Sequence, residues 1–389
     1  MLKKMALKLL LGKWKQGGFK VVFWDGEEAA YGDEPPAFTI IFRQEPPFKV
    51  GDDIVLLIGE AYMDGIIELE GSMDDILRII TLNRPSRAAA GPKKSGAVNS
   101  AAQQRNIHHH YDLGNDFFAL WLDESMSYSC AYFNTPTDSL AQAQLQKIDH
   151  ILKKINLQPG ERLLDIGSGW GWLIIKAAQQ YNVQATGITL STEQYQATKR
   201  RIEELGLEHQ VDVQLVSYQD LDSSQPRFDK IISVGMFEHV GQGNLSNYMR
   251  KINELLAPGG ISLLHTITGL FEENSNAWIA KYIFPGGYVP SLREIIRLLP
   301  EFDFHLLHAE SLRLHYAMTL DRWYENFSRQ LDAVREKYDE RFIRMWSLYL
   351  RGCAAAFRVS GLDIYQLLFS KGLNNSLPLT YQHLYDNQQ

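Results

Sequence analysis

Cysteine is nearly absent. Among 389 residues only Cys130 and Cys353 occur, far apart and in no Cys-x-x-Cys pair. A disulfide framework and a thiolate metal cluster are excluded, and free thiols in a reducing cytoplasm are expected. No apolar run approaches the ~20 residues that a membrane-spanning helix needs. Excess positive charge is missing as well: the formal net charge is −7, which sets a general nucleic-acid binder aside. Fractions of 45% hydrophobic and 22% charged residues are those of an ordinary soluble chain, with room for one large or two ordinary domains.

The first twenty residues lack acid. Lys3, Lys4, Lys8, Lys13, Lys15 and Lys20 stand there without an Asp or Glu. On a helical wheel Leu2, Met5, Ala6 and Leu9 share one face and Lys4, Lys8 and Lys15 lie roughly opposite, while Leu7 and Leu11 blur the pattern. Lys8 interrupts the apolar run and no small-residue cleavage site follows, so no signal peptide is expected. Two readings stay open: a basic amphipathic helix lying on an anionic membrane, or a terminal helix packed on its own domain.

From Phe19 to about Asn83, short apolar runs alternate with turn signals. Val21–Trp24, Phe38–Phe42, Ile54–Ile58 and Ile66–Leu69 read as strands, and Met73–Leu82 has helical spacing. This predicts a small α+β domain over residues 1–83. Residues 84–105 are rich in Ala, Ser, Gly, Lys and Asn and read as a flexible linker. From 106 to 389 one long domain is expected, with strands at Arg162–Ile166, Val183–Ile188, Val211–Val216, Phe228–Val234 and Gly260–Ile267. Helical patterns lie between them, which predicts a doubly wound, parallel α/β sheet. The stretch from Tyr316 to Phe369 reads as mostly helical, with little sign of another sheet.

The most informative segment is Leu163-Leu164-Asp165-Ile166-Gly167-Ser168-Gly169-Trp170-Gly171: a buried strand, a glycine-rich turn, then a helix from Trp172 to Gln180. Gly167, Gly169 and Gly171 let the backbone pass close to a ligand, and the helix that follows offers free N–H groups. The pattern is D-x-G-x-G-x-G, not the dinucleotide fingerprint G-x-G-x-x-G. With Asp165 ahead of the glycines it suits a cationic sulfonium lacking a pyrophosphate, S-adenosylmethionine. Ligands of such sheets sit across the carboxyl ends of the strands. After the second strand, Thr189 and Gln194 suit a ribose, beside an N-cap at Ser191. After the third, Tyr218-Gln219-Asp220 suits an adenine. The fourth ends in Gly235-Met236-Phe237-Glu238-His239, without the (N/D)PP(Y/F) turn common among methyltransferases acting on amide or base nitrogens. The fifth carries His265 at the same edge. Consecutive His108-His109-His110 point in different directions on one helix, and no acidic or cysteine cluster completes a set, so no metal site is expected.

Ile107 to Phe118, Met126 to Phe133, the glycine turn, Phe237-Glu238-His239 and Phe284 to Tyr288 agree in order and spacing with one family. Over residues 106 to about 369 the chain resembles the cyclopropane-fatty-acyl-phospholipid synthases, and Gly59 to Gly65 resembles their phospholipid-acting branch. The resemblance implies a Rossmann-like methyltransferase fold using S-adenosylmethionine, with cofactor contacts at Tyr128, Ser129, Gly167, Gly169, Thr189, Gln194, Tyr218 and Gln219. It also implies a bound bicarbonate as base, held by Cys130, Glu238, His265, Tyr316 and the backbone of Ile267. Cys353 matches a cysteine often labelled nucleophilic in the family; the chemistry needs no covalent step, so a small buried residue is the simpler reading. The implied reaction is attack of an acyl-chain double bond on the sulfonium methyl, then proton removal and ring closure. Aromatic faces such as Tyr316, Phe237 and Tyr288 suit the cationic intermediate. Methylation without ring closure, amine N-methylation and a catalytically inactive lipid-binding module are the rivals, the last opposed by the unbroken glycine turn and base-holding set. A homodimer, peripheral on the phospholipid bilayer at the inner face of the cell membrane, is expected.

Overall fold

The computed structural model describes residues 2–47, 53–83, 113–224 and 228–385. The chain divides into two compact units. The smaller comprises Met1–Pro92, Ser275–Pro285 and Leu320–Leu362, and the larger comprises Lys93–Asn274, Gly286–Thr319 and Asp363–Gln389. This division differs from a single boundary near residue 84, because two distant segments return to the smaller unit. Residues 84–105 and His108-His109-His110 fall outside the described residues.

In the smaller unit, β1 (Gly18–Val22) pairs antiparallel with β2 (Glu28–Gly32) and parallel with β3 (Phe38–Phe42), and β4 (Ile67–Gly71) pairs antiparallel with β3. Alternation sends Phe19, Val21, Phe38 and Ile40 into the core. The run at Ile54–Ile58 is not a strand. It opens the helix Ile54–Met63, whose N-cap Asp53 accepts from the amides of Val55 and Leu56 at 3.0 Å each. An uninterrupted apolar run carries no period, so the cap decides what the run leaves undecided. Helix Met73–Leu82 occupies its expected bounds. Helix Glu340–Val359 packs on both of these helices, and Ala277–Tyr282 packs on the first.

The terminal helix Leu2–Leu11 packs on its own unit. It buries Leu7 and Leu11, whereas Met5 and Leu9 are 56% and 67% exposed. The face expected from the wheel is thus the outer one. Lys4, Leu7, Lys8 and Leu11 follow at i, i+3, i+4 and i+7 and share one stripe. The two lysines hold their ammonium groups over the Phe23 ring, 5.1 and 5.4 Å from its centre. Lys4 pairs with Asp25 at 2.6 Å and both lysines pair with Glu27, at the turn between β1 and β2.

The larger unit holds a seven-stranded sheet. β5 (Arg162–Ile166), β6 (Gln184–Thr189), β7 (Val211–Leu215), β8 (Phe228–Val234) and β9 (Leu256–Thr268) are mutually parallel. A short ribbon, β10 (Glu273–Asn274) with β11 (Tyr288–Val289), follows. Two further strands, β12 (Phe304–Ser311) and β13 (Asp363–Lys371), complete the order β12-β13-β9-β8-β5-β6-β7. β13 runs antiparallel between β9 and β12, a sheet extension the sequence reading did not contain. Leu367, Leu368 and Phe369 are all buried, so β13 shows no alternation and resembles the helical stretch before it. The sheet is therefore Rossmann-like and doubly wound. Its order reverses between β5 and β8, which places a ligand crevice at their carboxyl ends.

Gly59 is where the returning segment Ser275–Pro285 packs on helix Ile54–Met63. A Cβ there would lie 2.2 Å from Cδ1 of Trp278, whose Nε1 approaches the sulfur of Met63 at 3.2 Å. Gly59→Ala should therefore lower the thermal transition, at a cost of about 1–3 kcal/mol from overpacking. An unchanged melting profile in calorimetry would refute the seating of Trp278 on that helix.

Candidate active site

At the end of β5 the chain turns through Gly167, Gly169 and Gly171, with φ of +82°, +56° and +82°, values that L side chains rarely adopt. The amides of Gly167 and Ser168 both donate to Ile188 O, at 2.9 and 3.0 Å, fastening the turn to β6. Tyr128, Ser129, Asp165, Gly167, Gly169, Thr189, Gln194 and Tyr218 line one cavity of about 150 Å³ at this edge. Gly171 and Gln219 are not in its lining. A Cβ on Gly171 would lie 2.3 Å from Cγ2 of Thr198, so this glycine serves close packing. Gln219 turns its amide onto the Tyr218 hydroxyl at 3.3 Å. Thr189 donates to Gln194 Oε1 at 2.8 Å, while Ser191 accepts from the Gln194 amide at 3.3 Å as an N-cap. The cap and the cavity wall thus share one segment.

The other lining side chains include two titratable ones, Lys147 and His239. Lys147 donates to Ser129 Oγ at 2.8 Å, and burial pushes its ammonium down to about 8. One turn earlier, Gln144 donates to the carbonyls of Ser127 and Ser129 at 3.2 and 2.9 Å. Helix Leu140–Lys154 therefore holds the Ser127–Ser129 segment in place. Gln144, Lys147, Ile151 and Lys154 fall at i, i+3, i+7 and i+10, on the buried face. Polar residues in the apolar register of an amphipathic helix were the signal to read. Burial pushes His239 down to about 4, leaving it neutral.

Glu238 follows β8, and His265 and Ile267 lie on β9; neither these nor Cys130 and Tyr316, the other residues matched to the base site, line the cavity. Glu238 Oε1 accepts from the Ile267 amide at 2.6 Å. Ile267 therefore has its N–H committed to Glu238 and does not offer it elsewhere. Glu238 Oε2 is buried without a hydrogen-bond partner, and burial raises the pKa of this carboxyl. His265, two residues before Ile267 on β9, is fully buried; its Nδ1 meets Gln366 Nε2 at 3.2 Å, and its Nε2 has no partner. Burial pushes its imidazole down to about 3, so it is neutral. The Cys130 thiol approaches the carbonyls of Ala131 and Leu312 at 3.3 and 3.9 Å, and burial raises its pKa far above the usual thiol range. Tyr316 donates its backbone amide to the same Leu312 carbonyl at 3.0 Å. Cys353 lies in the smaller unit, on helix Glu340–Val359, where burial pushes its thiol up to about 12; no thiolate nucleophile forms there near neutrality. Phe237 and Tyr288 belong to the apolar core on one face of the sheet, Phe237 edge-on to Tyr248 at 4.9 Å.

A doubly wound sheet with a D-x-G-x-G-x-G turn at its reversal point, and polar groups at the neighbouring strand ends, defines the S-adenosylmethionine-dependent methyltransferase class. Residues 98–367 match the model of the mycolic acid cyclopropane synthetase family, and residues 6–90 match that of a domain of unknown function. The chain belongs to that first family. It is 40% identical over 334 residues to the cyclopropane-fatty-acyl-phospholipid synthase of Escherichia coli, covering 82% of this chain and 84% of the relative. It is 36% identical over 375 residues to a tuberculostearic acid methyltransferase of Mycobacterium tuberculosis, covering 89% and 86%. Among solved structures, a mycolic acid cyclopropane synthase complexed with SAH and CTAB superposes with a TM-score of 0.64 at 35% identity, covering 69% of this chain and 98% of that one.

Asp165 gives the site a measurable pH signature. It is 3% exposed, its Oδ1 has no partner, and burial pushes it up to about 7 from an ordinary 3.8. Below about pH 4 both folded and unfolded chains hold this proton, and the group costs nothing. As pH rises toward 7 only the unfolded chain releases it, so stability falls by up to about 1.4 kcal/mol per unit. Asp165→Asn should remove that loss. Urea denaturation of the ligand-free protein at pH 5 and pH 7 should show the difference between the two shrinking by about 1–3 kcal/mol; an unaltered difference would mean that Asp165 ionises normally.

Proposed function

We propose that this protein transfers a methylene group from S-adenosylmethionine to the cis double bond of an unsaturated phospholipid acyl chain, forming a cyclopropane ring, with bound bicarbonate as the base. When bound, S-adenosylmethionine supplies an electrophilic methyl group and bicarbonate a proton acceptor. The observation that carries the reading is a pair of buried, unpartnered polar atoms of opposite character, Glu238 Oε2 and His265 Nε2. Leaving such atoms unpaired costs roughly 1–3 kcal/mol each. An oxyanion bearing one hydroxyl fits both: the imidazole N–H donates to it and the carboxylate accepts from its hydroxyl. A monovalent amine substrate has no need of that pair. Buried Cys130, its protonated thiol turned to the Ala131 and Leu312 carbonyls, keeps water away. The lining of Asp165, Gly167 and Gly169 suits the methionine part of the cofactor, and Thr189, Gln194 and Tyr218 suit its nucleoside.

Among the described residues no helix is long and apolar enough to cross a membrane. The reading therefore takes the bilayer contact as peripheral, at the cytoplasmic face of the cell membrane, and the working form as a homodimer. Since Lys4 and Lys8 are paired within their own unit, the exposed apolar pair Met5 and Leu9 is the better support for that contact. The E. coli relative's name specifies a phospholipid acyl chain, which favours ring formation on that substrate. The M. tuberculosis relative's name records methyl transfer, which favours methylation without ring closure as the second reading.

Incubation with cis-unsaturated phospholipid vesicles and S-adenosylmethionine, then analysis of the acyl chains, separates these. Gain of one CH₂ with loss of the double bond is the expected result; a branched chain supports the second reading, and an unchanged lipid pool overturns both. Glu238→Gln should lower turnover by about two to four orders of magnitude while sparing cofactor binding. Removing dissolved carbon dioxide should slow the wild type, and bicarbonate should restore it. Equal rates after careful degassing would make a side chain the base.

A further inference from the structure

Behind His265 lies a chain of buried hydrogen bonds that the proposed chemistry does not yet use. Gln366 on β13 is paired in register with His265 on β9 and is fully buried. Its Oε1 lies 2.7 Å from Lys154 Nζ, and its Nε2 lies 3.2 Å from His265 Nδ1. The ammonium of lysine only donates, so the amide oxygen must face Lys154 and the NH₂ must face the imidazole. An NH₂ also only donates. Nδ1 must therefore be the bare nitrogen, and a neutral His265 carries its hydrogen on Nε2.

Lys154 is itself held in place. Its side chain is fully buried and bridges to Glu310 Oε2, which also meets His150 Nε2 at 2.8 Å. His150 stacks on Tyr132, with ring centres 4.1 Å apart, and the Tyr385 hydroxyl donates to Glu310 Oε1 at 3.3 Å. Burial opposes the charge on Glu310, yet His150 and Lys154 hold its carboxyl down at about 2. A buried pair of this kind adds little net stability over an apolar replacement. What it provides here is a fixed direction of donation, Lys154 to Gln366 to His265.

We propose that Gln366, oriented by the Lys154–Glu310 pair, is a positioning residue that locks His265 as the Nε2–H tautomer, so that the imidazole presents a donor rather than a lone pair to a bound oxyanion. This rests on the oxyanion site proposed above. The orienting partners of a ligating imidazole are typically worth 10–100-fold in binding or activity when lost.

Gln366→Glu is near-isosteric and keeps the bond to Lys154, but its carboxylate demands a hydrogen from Nδ1. Long-range ¹H–¹⁵N spectra of histidine-labelled protein, with His265 assigned by its loss in His265→Asn, report the tautomer without any turnover. The wild type should show a protonated Nε2 and a bare Nδ1, and Gln366→Glu should show the reverse. The apparent KM for bicarbonate should rise about 10–100-fold, while that for S-adenosylmethionine stays within about twofold. Gln366→Met, which demands nothing of Nδ1, should give a mixture of tautomers and an intermediate KM. A bare Nε2 in the wild type overturns the proposal, even if no variant folds. So does a Gln366→Glu protein with unchanged tautomer and unchanged bicarbonate dependence. If the tautomer reverses but wild-type turnover ignores bicarbonate, the positioning role of Gln366 stands and the bicarbonate reading falls.

Discussion

The constraint on which this site depends is the cost of keeping polar atoms dry at one sheet edge. Glu238 and His265 sit at the ends of β8 and β9, each with one atom engaged by the protein and one left over. The engaged atoms are held by rigid parts: the Ile267 amide, two residues along the strand that carries His265, and the Gln366 side chain in the next strand. Such anchoring fixes where the unengaged atoms point, which is what preorganised catalysis requires. The antiparallel strand β13 explains much of this. By lying against β9 it covers the sheet edge and brings Gln366 opposite His265.

A reaction passing through a carbocation must exclude water, and exclusion of water has electrostatic consequences that recur through the larger unit. Burial pushes His239 to about 4 and His265 to about 3, making both neutral at any ordinary pH. It raises Asp165 to about 7 and lowers Lys147 to about 8, so these two lining groups hold their charges weakly. A bound sulfonium would favour the ionised form of Asp165 and disfavour that of Lys147. Cofactor binding is thus expected to release protons at this edge, from both groups.

How far the sequence revealed all this follows from what each signal encodes. The glycine turn was legible because positive φ at Gly167, Gly169 and Gly171 demands glycine, and the parallel strands because their apolar runs are short and bounded. The helix at Ile54–Met63 was hidden by a continuous apolar run, which has no period to betray its backbone, and β13 by the successive burial of Gln366, Leu367, Leu368 and Phe369, which breaks its alternation. The face of the terminal helix was not legible, because Lys4 and Lys8 turn inward to Phe23 and to the distant partners Asp25 and Glu27. Individual cavity residues were legible through strand ends, since topology alone sends those ends to the crevice. Their partners were not. Lys147, Lys154 and Gln366 stand in apolar registers where a pattern reading expects hydrophobic side chains, and nothing local says what they meet.

That last class is where sequence and function part most widely. A polar residue inside an apolar stripe contradicts its local pattern, and natural chains tolerate the contradiction where something compensates. For Gln144 the compensation is two backbone carbonyls of the cavity wall. For Lys147 it is Ser129, and for Lys154 it is Glu310 with Gln366. All three lie on one helix, Leu140–Lys154, whose opposite face carries Gln142, Leu145, Asp149 and Lys153. One element therefore sets both the cavity wall and, through Gln366, the imidazole at the strand end. Its rigidity, secured at its start by the reciprocal cap of Ser139 and Gln142, is what couples the two halves of the site.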